Sequence, residues 1–179
     1  VLGVNSVEPD EIFGVSYLGE AGIDECSICC AKFSGEILAQ VSCGISVSQD
    51  NGVKILDPDG AFKPTGTWSL GTRAGDFVFV AGMRGLDPKT NLLVEGVEAR
   101  ITQAFLNMQL IAKSEGATLQ DAVRLVVYVT DMDLYRGVTN QVQEKLWDGG
   151  PFPPRTILEV AGLNQEDFFE VEGTFYAPQ

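Results

Sequence analysis

Arg155 sits inside the string "GGPFPPRTILEV" (149–160), between three prolines and an apolar run. Pro151, Pro153 and Pro154 fix φ and remove backbone donors, so the approach is stiff and extended and delivers Arg155 at a set angle. A guanidinium so placed is either a planar fork for a carboxylate or an ordinary charge at a strand end. Further along, "FEVE" spaces Glu170 and Glu172 two residues apart, which on a strand turns both acids to one face and Phe169 and Val171 to the other. A third group, Cys26, Cys29 and Cys30 with the distant Cys43, contains a Cys-x-x-Cys step that can present two thiolates to a metal. The second such pair that a structural metal site needs is missing, and the string reads more simply as small buried residues of a strand in a reducing compartment. No metal and no cofactor is expected.

The chain has no histidine, which excludes Ser-His-Asp and Cys-His catalysis, histidine-ligated zinc and imidazole proton shuttles. Chemistry is left to carboxylates, arginine, lysine, hydroxyls, thiols and the backbone. Against 12 basic residues stand 25 acidic ones, and the formal charge of −13 repels polyphosphate backbones and anionic membranes. Nucleic acid and membrane are therefore not expected as partners. No apolar run approaches the ~20 residues that span a bilayer, and the start lacks the basic residues of a secretory signal, so a cytoplasmic protein is expected. The chain opens at Val1 in sequence resembling a protein interior, which suits a fragment or a processed product.

The elements that must position these residues fall into two groups. Residues 1–62 read as strand and turn: "ECSICCAKF", "GEILAQVSCGISV" and "GVKILDPDG" predict a three-stranded meander ending in a turn. In residues 63–179, "TWSLGTRAGDFVFVAG" predicts two short strands around an Ala-Gly-Asp turn. Val97, Ile101, Ala104, Phe105, Met108, Ile111 and Ala112 then recur at helical spacing, with Gly116 as a stop. Thr118 and Asp121 have capping-box spacing before the strand "RLVVYVT". A second helix begins near Asp133, with Leu134, Val138, Val142 and Leu146 on one face, and two strands follow the prolines. The order β-β-α-β-α-β-β predicts an α+β domain with its helices on one face of a sheet.

"RAGDFVFVAG", "LDPKTNLLVEG", the helix-to-strand run "EARITQAFLNMQLIAKSEGATLQDAVRLVVYVTDM", the proline–arginine string and "FEVEGTF" occur in order from about Pro64 to the C-terminus. In this series the chain resembles the RidA/YjgF family of small trimeric enamine/imine deaminases, with a chorismate mutase-like fold. In that family the arginine after the proline pair binds the carboxylate of a 2-imino acid in a cleft between subunits, and a glutamate of the last strand positions the attacking water. The resemblance implies these roles for Arg155 and Glu170, with a backbone carbonyl near Ile157 as the water's second anchor.

Some positions depart from the family pattern. Trp68 replaces the family's active-site tyrosine, Ala81 its pocket serine and Ile157 its cysteine. An ungapped match sets Thr139 at the family's asparagine with Asn140 next to it, and either of them could face the pocket. The implied cleft is richer in aromatic surface and poorer in hydroxyls, which suits a substrate bulkier or less polar than 2-aminoacrylate, such as an aromatic-derived or muconate-type imine. Residues 1–62 resemble part of the C-terminal β-rich domain of Gfo/Idh/MocA oxidoreductases. That implies sheet extension or subunit contact, and through it a larger assembly. The expected function is thus a homotrimeric deaminase that hydrolyses 2-imino and enamine acids to 2-keto acids and ammonia in a cleft between subunits. The alternative is a non-catalytic ligand-binding or assembly module on the same trimer. Ribonuclease activity, also known in the family, conflicts with the −13 charge.

Overall fold

A computed structural model describes the backbone of three strands within residues 11–40, and residues 52–179 in full. The chain divides into two compact units, Val1–Asn51 and Gly52–Gln179. In the first, β1 (Glu11–Leu18), β2 (Asp24–Phe33) and β3 (Glu36–Gln40) form an antiparallel meander in the order β1-β2-β3. Cys26, Cys29 and Cys30 fall within β2, and Cys43 lies outside the described residues.

The meander differs from the expected one. Its first strand is β1, and the strand expected to complete it at "GVKIL" is instead β4 (Val53–Leu56) of the second unit, paired antiparallel with β5 (Gly71–Ala74). A four-residue strand cannot stand alone, and Leu56 is buried in the larger core while Val53 and Ile55 face outward.

The second unit is a six-stranded sheet in the order β4-β5-β6-β9-β7-β8, with β6 (Phe77–Met83), β7 (Ala122–Val129), β8 (Arg155–Glu159) and β9 (Phe169–Tyr176). All neighbours are antiparallel except β7 and β8, whose parallel pairing needs the crossover helix α2 (Met132–Leu146). The other helix is α1 (Val97–Lys113). This is the α+β, chorismate mutase-like architecture expected from the sequence.

The core lies between the sheet and α1. Ile101, Ala104, Phe105, Met108, Ile111 and Ala112 are buried as the helical spacing predicts, and each large side chain so buried contributes about 1.5–3 kcal/mol. Phe105 meets Trp147 edge-on at 5.8 Å and Phe169 at the same separation. Gly173 gives α1 room, since a Cβ there would lie 2.7 Å from Met108 Sδ. Gly116 takes φ +85° just beyond α1, and the Thr118 N–H donates to Asp121 Oδ2 at 2.7 Å before β7. Asp131 caps α2 by accepting from the Leu134 N–H at 2.9 Å, worth about 1 kcal/mol.

Leu134 departs from expectation: it is exposed, and the side chains α2 buries are Thr139, Val142 and Gln143. Steps of four residues rotate about 40° around a 3.6-residue helix, so a ladder from 134 to 146 turns its first member off the buried face.

Among the described residues, helices cover one face of this sheet only. The open face carries Ile55, Phe77, Phe79 and Tyr176 as exposed apolar side chains, with Phe77 against Phe79 and Tyr176 at ring separations of 6.4 and 5.6 Å.

Candidate active site

Strand alternation and register sort the candidate residues into two half-sites. Arg155 opens β8 opposite Leu125, and Ile157 follows opposite Val127. Leu125 and Val127 point into the helix-covered core, so Arg155 and Ile157 turn to the helix side as well. Glu170 pairs with Tyr128 and Glu172 with Val126, and in the alternating burial of β9 both acids point to the open face. Arg155 and Glu170 therefore lie on opposite faces of one sheet, with β7 between their strands.

On the helix side, the prolines bring the Arg155 guanidinium beneath α2. Nη1 donates to Gln143 Oε1 at 2.5 Å and Nη2 to Asn140 Oδ1 at 2.6 Å. Both acceptors are neutral amides, and among the described residues Arg155 forms no ion pair, so its charge is oriented without being cancelled. Two of the five N–H donors of an arginine are thus used, and the remainder suffice for a bidentate carboxylate. Partial burial lowers the guanidinium pKa by desolvation. The group opens onto a cavity of about 440 Å³ lined by Asn140, Gln143, Glu144, Phe152, Pro153 and Arg155.

Of the two candidates on α2, Asn140 faces this cavity. Thr139 does not: it is fully buried, and its hydroxyl donates to the Tyr135 carbonyl one turn back. Gln143 was not among the sequence candidates, because a glutamine on a helix reads as surface. Its one signal was its position three residues after Asn140, on the same helix face. Ile157 packs against the core as a partly buried side chain.

On the open side, β6 carries a bulge: Val80 pairs with Gly173 and Met83 with Val171, so three steps on β6 face two on β9. The extra backbone brings Gly82 beside Glu170, and a glycine is required there, since a Cβ would stand 2.1 Å from Glu170 Oε1. Burial raises the Glu170 pKa above the usual carboxylate range. Arg84 opposes this, while Asp167 and Glu172 reinforce it. Tyr128, across the ladder, is raised by desolvation and by the Glu172 carboxylate, so its hydroxyl keeps its proton at neutral pH.

The start of β9 is anchored by Asp167, a fully buried carboxylate lying 3.8 Å from Arg84 and 3.4 Å from Arg100. Its Oδ1 also accepts from the Phe168 N–H at 2.8 Å, and Arg100 stacks over the Phe168 ring. Trp68, 41% exposed, lies in a separate hollow with Pro64, Ser69 and Leu70. That segment is tied to the bulge by the Ala81 N–H donating to the Leu70 carbonyl at 3.0 Å. One chain therefore groups Arg155 with Asn140, with Ile157 on the same face, and places Glu170 beside Gly82 on the other face of the sheet, while Ala81 packs against the core.

A family model described as Endoribonuclease L-PSP matches residues 59–177. The chain belongs to the RidA/YjgF family. A RutC family protein of Pyrococcus horikoshii is 31% identical to it over 124 residues, 69% of this chain and 97% of the relative. A 2-iminobutanoate/2-iminopropanoate deaminase of Dermatophagoides farinae is 28% identical over 120 residues, covering 66% of this chain and 92% of its own. A solved structure from Rhodopseudomonas palustris, described as a probable translation initiation inhibitor, is 54% identical with a TM-score of 0.69, covering 71% of this chain and 99% of that one. The RidA match begins at residue 59, and the oxidoreductase resemblance of residues 1–62 finds no support in these comparisons. Among the described residues no helix is long and apolar enough to cross a membrane.

Proposed function

We propose that this RidA-family chain hydrolyses 2-imino and enamine acids to 2-keto acids and ammonia, in clefts between the subunits of a homotrimer. The observation that carries this reading is Arg155: a cation at a cavity mouth, aimed by two neutral amides and left without a counter-charge. Such a group is set up for an anion from outside the chain. The separation of Arg155 and Glu170 onto opposite faces supports a cleft in which one copy supplies the arginine and its neighbour the glutamate. The uncovered apolar side chains Ile55, Phe77, Phe79 and Tyr176 support subunit packing on the open face.

In this mechanism the substrate carboxylate sits on Arg155, which fixes the imine carbon and draws electron density toward the carboxylate end. Water held by Glu170 and a backbone carbonyl near Ile157 adds to C2, forming a C–O bond. Glu170 takes the water proton and passes it to the nitrogen, giving a carbinolamine, and then relays the hydroxyl proton to the same nitrogen as C=O forms. Cleavage of the C–N bond then releases ammonia and leaves the keto acid. Burial raises the Glu170 pKa, which makes its carboxylate a better proton acceptor for the first of these transfers. The deaminase name of the Dermatophagoides relative supports the reaction class. Trp68, Ala81 and Phe152 favour an apolar or aromatic substrate side chain. The net charge of −13 and the absence of histidine count against the RNA cleavage in the family's description.

The test is release of keto acid and ammonia from imino acids generated in situ by an amino-acid oxidase. Acceleration by the wild type and its loss in Arg155→Ala are expected. No acceleration with small, aliphatic or aromatic imino acids would leave ligand binding without turnover as the function of the cleft.

A further inference from the structure

The cavity beside Arg155 carries a second charged side chain. Asn140, Gln143 and Glu144 lie at i, i+3 and i+4 of α2, on one helix face, and all three line the cavity. Within that lining Arg155 is the one cation and Glu144 the one carboxylate. The two are not partners: the Arg155 fork is held by Gln143 and Asn140, and among the described residues Glu144 forms no ion pair. The remaining wall is Phe152, 52% exposed, and Pro153. The lining thus offers one anchor for a carboxylate, one apolar surface and one repelling charge.

We propose that Glu144 is a specificity-determining residue that admits 2-imino acids with a single carboxylate and an apolar side chain and rejects dicarboxylic ones. The inference rests on the deaminase reading of the same cleft. An α-carboxylate on Arg155 leaves the rest of the substrate to extend over the cavity floor. An apolar side chain finds Phe152 and Pro153 there and loses water on both surfaces. A side chain ending in a second carboxylate finds Glu144. Arg155 can take one carboxylate of such a ligand, so whichever way it binds, the other is left beside a like charge in a partly enclosed space. Asn140 and Gln143 contribute by being neutral, since a carboxylate at either position would cancel the charge that the first anchor needs.

The test compares wild type, Glu144→Gln and Glu144→Lys. One arm measures kcat/KM for imino acids made in situ from leucine and phenylalanine against those from aspartate and glutamate. A second arm measures binding of 3-phenylpropionate and glutarate by calorimetry, which needs no turnover. The expected result is a shift of the dicarboxylate-to-monocarboxylate ratio by about tenfold in Glu144→Lys, equivalent to about 1.4 kcal/mol, with Glu144→Gln in between. A ratio unmoved by either substitution overturns the inference, as does failure of both ligands to bind wild type and variant alike. Turnover with an unmoved ratio sinks the role of Glu144 and leaves the deaminase intact. A shifted binding ratio without turnover sinks the deaminase and leaves Glu144 as the selector of ligands. Glu144 is exposed on α2, so neither substitution removes core packing.

Discussion

Gly82→Ala tests the placement of Glu170 without touching a titratable group. A Cβ at position 82 would stand 2.1 Å from Glu170 Oε1, 2.6 Å from Cδ and 3.1 Å from Cγ. Ordinary van der Waals contact begins at 3.4 Å, so the carboxylate must retreat by about 1.3 Å, the difference between 3.4 and 2.1 Å. The clashing atoms belong to a side chain, which swings aside more readily than backbone, and the fold should survive. Catalytic geometry should not, since a misplacement of about 1 Å costs roughly 10²-fold in rate. The expected outcome is kcat lower by about two orders of magnitude, or ~2.7 kcal/mol of transition-state stabilisation. KM should be nearly constant, because Arg155 lies on the other face of the sheet. Steady-state release of keto acid, read alongside the thermal unfolding midpoint, separates the two effects. A variant with wild-type kcat would refute the assignment of the water to Glu170 in this position.

Gln143→Leu should raise KM by about five- to tenfold with little change in kcat, since it removes one of two acceptors that aim Arg155 and a hydrogen bond to a charged group is worth about 1.5–3 kcal/mol before rehydration offsets part of it; a fall in kcat at constant KM would contradict a positioning role. Phe79→Asp should dissociate the proposed trimer, with sedimentation as the readout, while leaving the monomer folded, because the side chain points from the open sheet face and is exposed; a trimer that persists in the variant would remove that face from the interface. The Glu170 pKa is raised in the fold, so its contribution to stability is complete below the ordinary glutamate value and is lost as pH rises through the raised value. Denaturant midpoints should accordingly decline with pH across that window in the wild type and less so in Glu170→Gln, and parallel curves would contradict a buried, hard-to-ionise carboxyl.

Much of this arrangement was legible because it rests on local periodicity. The α1 stripe from Ile101 to Ala112, the alternation of β9 and the proline approach to Arg155 each state in sequence which way a side chain points. What failed to read was whatever depends on a distant partner. Val53–Leu56 has the same strand pattern whether it continues the N-terminal meander or pairs with β5, and only the burial of Leu56 against the larger core decides it. Thr139 and Asn140 are adjacent and polar, and the rotation of α2 against β8 sends one into the core and the other to Arg155. Gln143 and Glu144 carry no motif at all, and they acquire meaning only when the crossover brings α2 over the start of β8. The bulge at Ala81–Gly82 is similarly silent, since a glycine near a strand end announces a turn as readily as a close approach to a carboxylate.

The central claim is that one copy supplies Arg155 and its neighbour Glu170, and mixing two inactive variants tests it most directly. Arg155→Ala and Glu170→Gln should each abolish imino-acid hydrolysis when assembled alone. Co-expressed in equal amounts, they should form mixed trimers in which about one quarter of the clefts pair an intact arginine with an intact glutamate, and about that share of wild-type turnover should return. A mixture as inactive as its components, with mixed trimers verified by mass, would contradict the shared cleft.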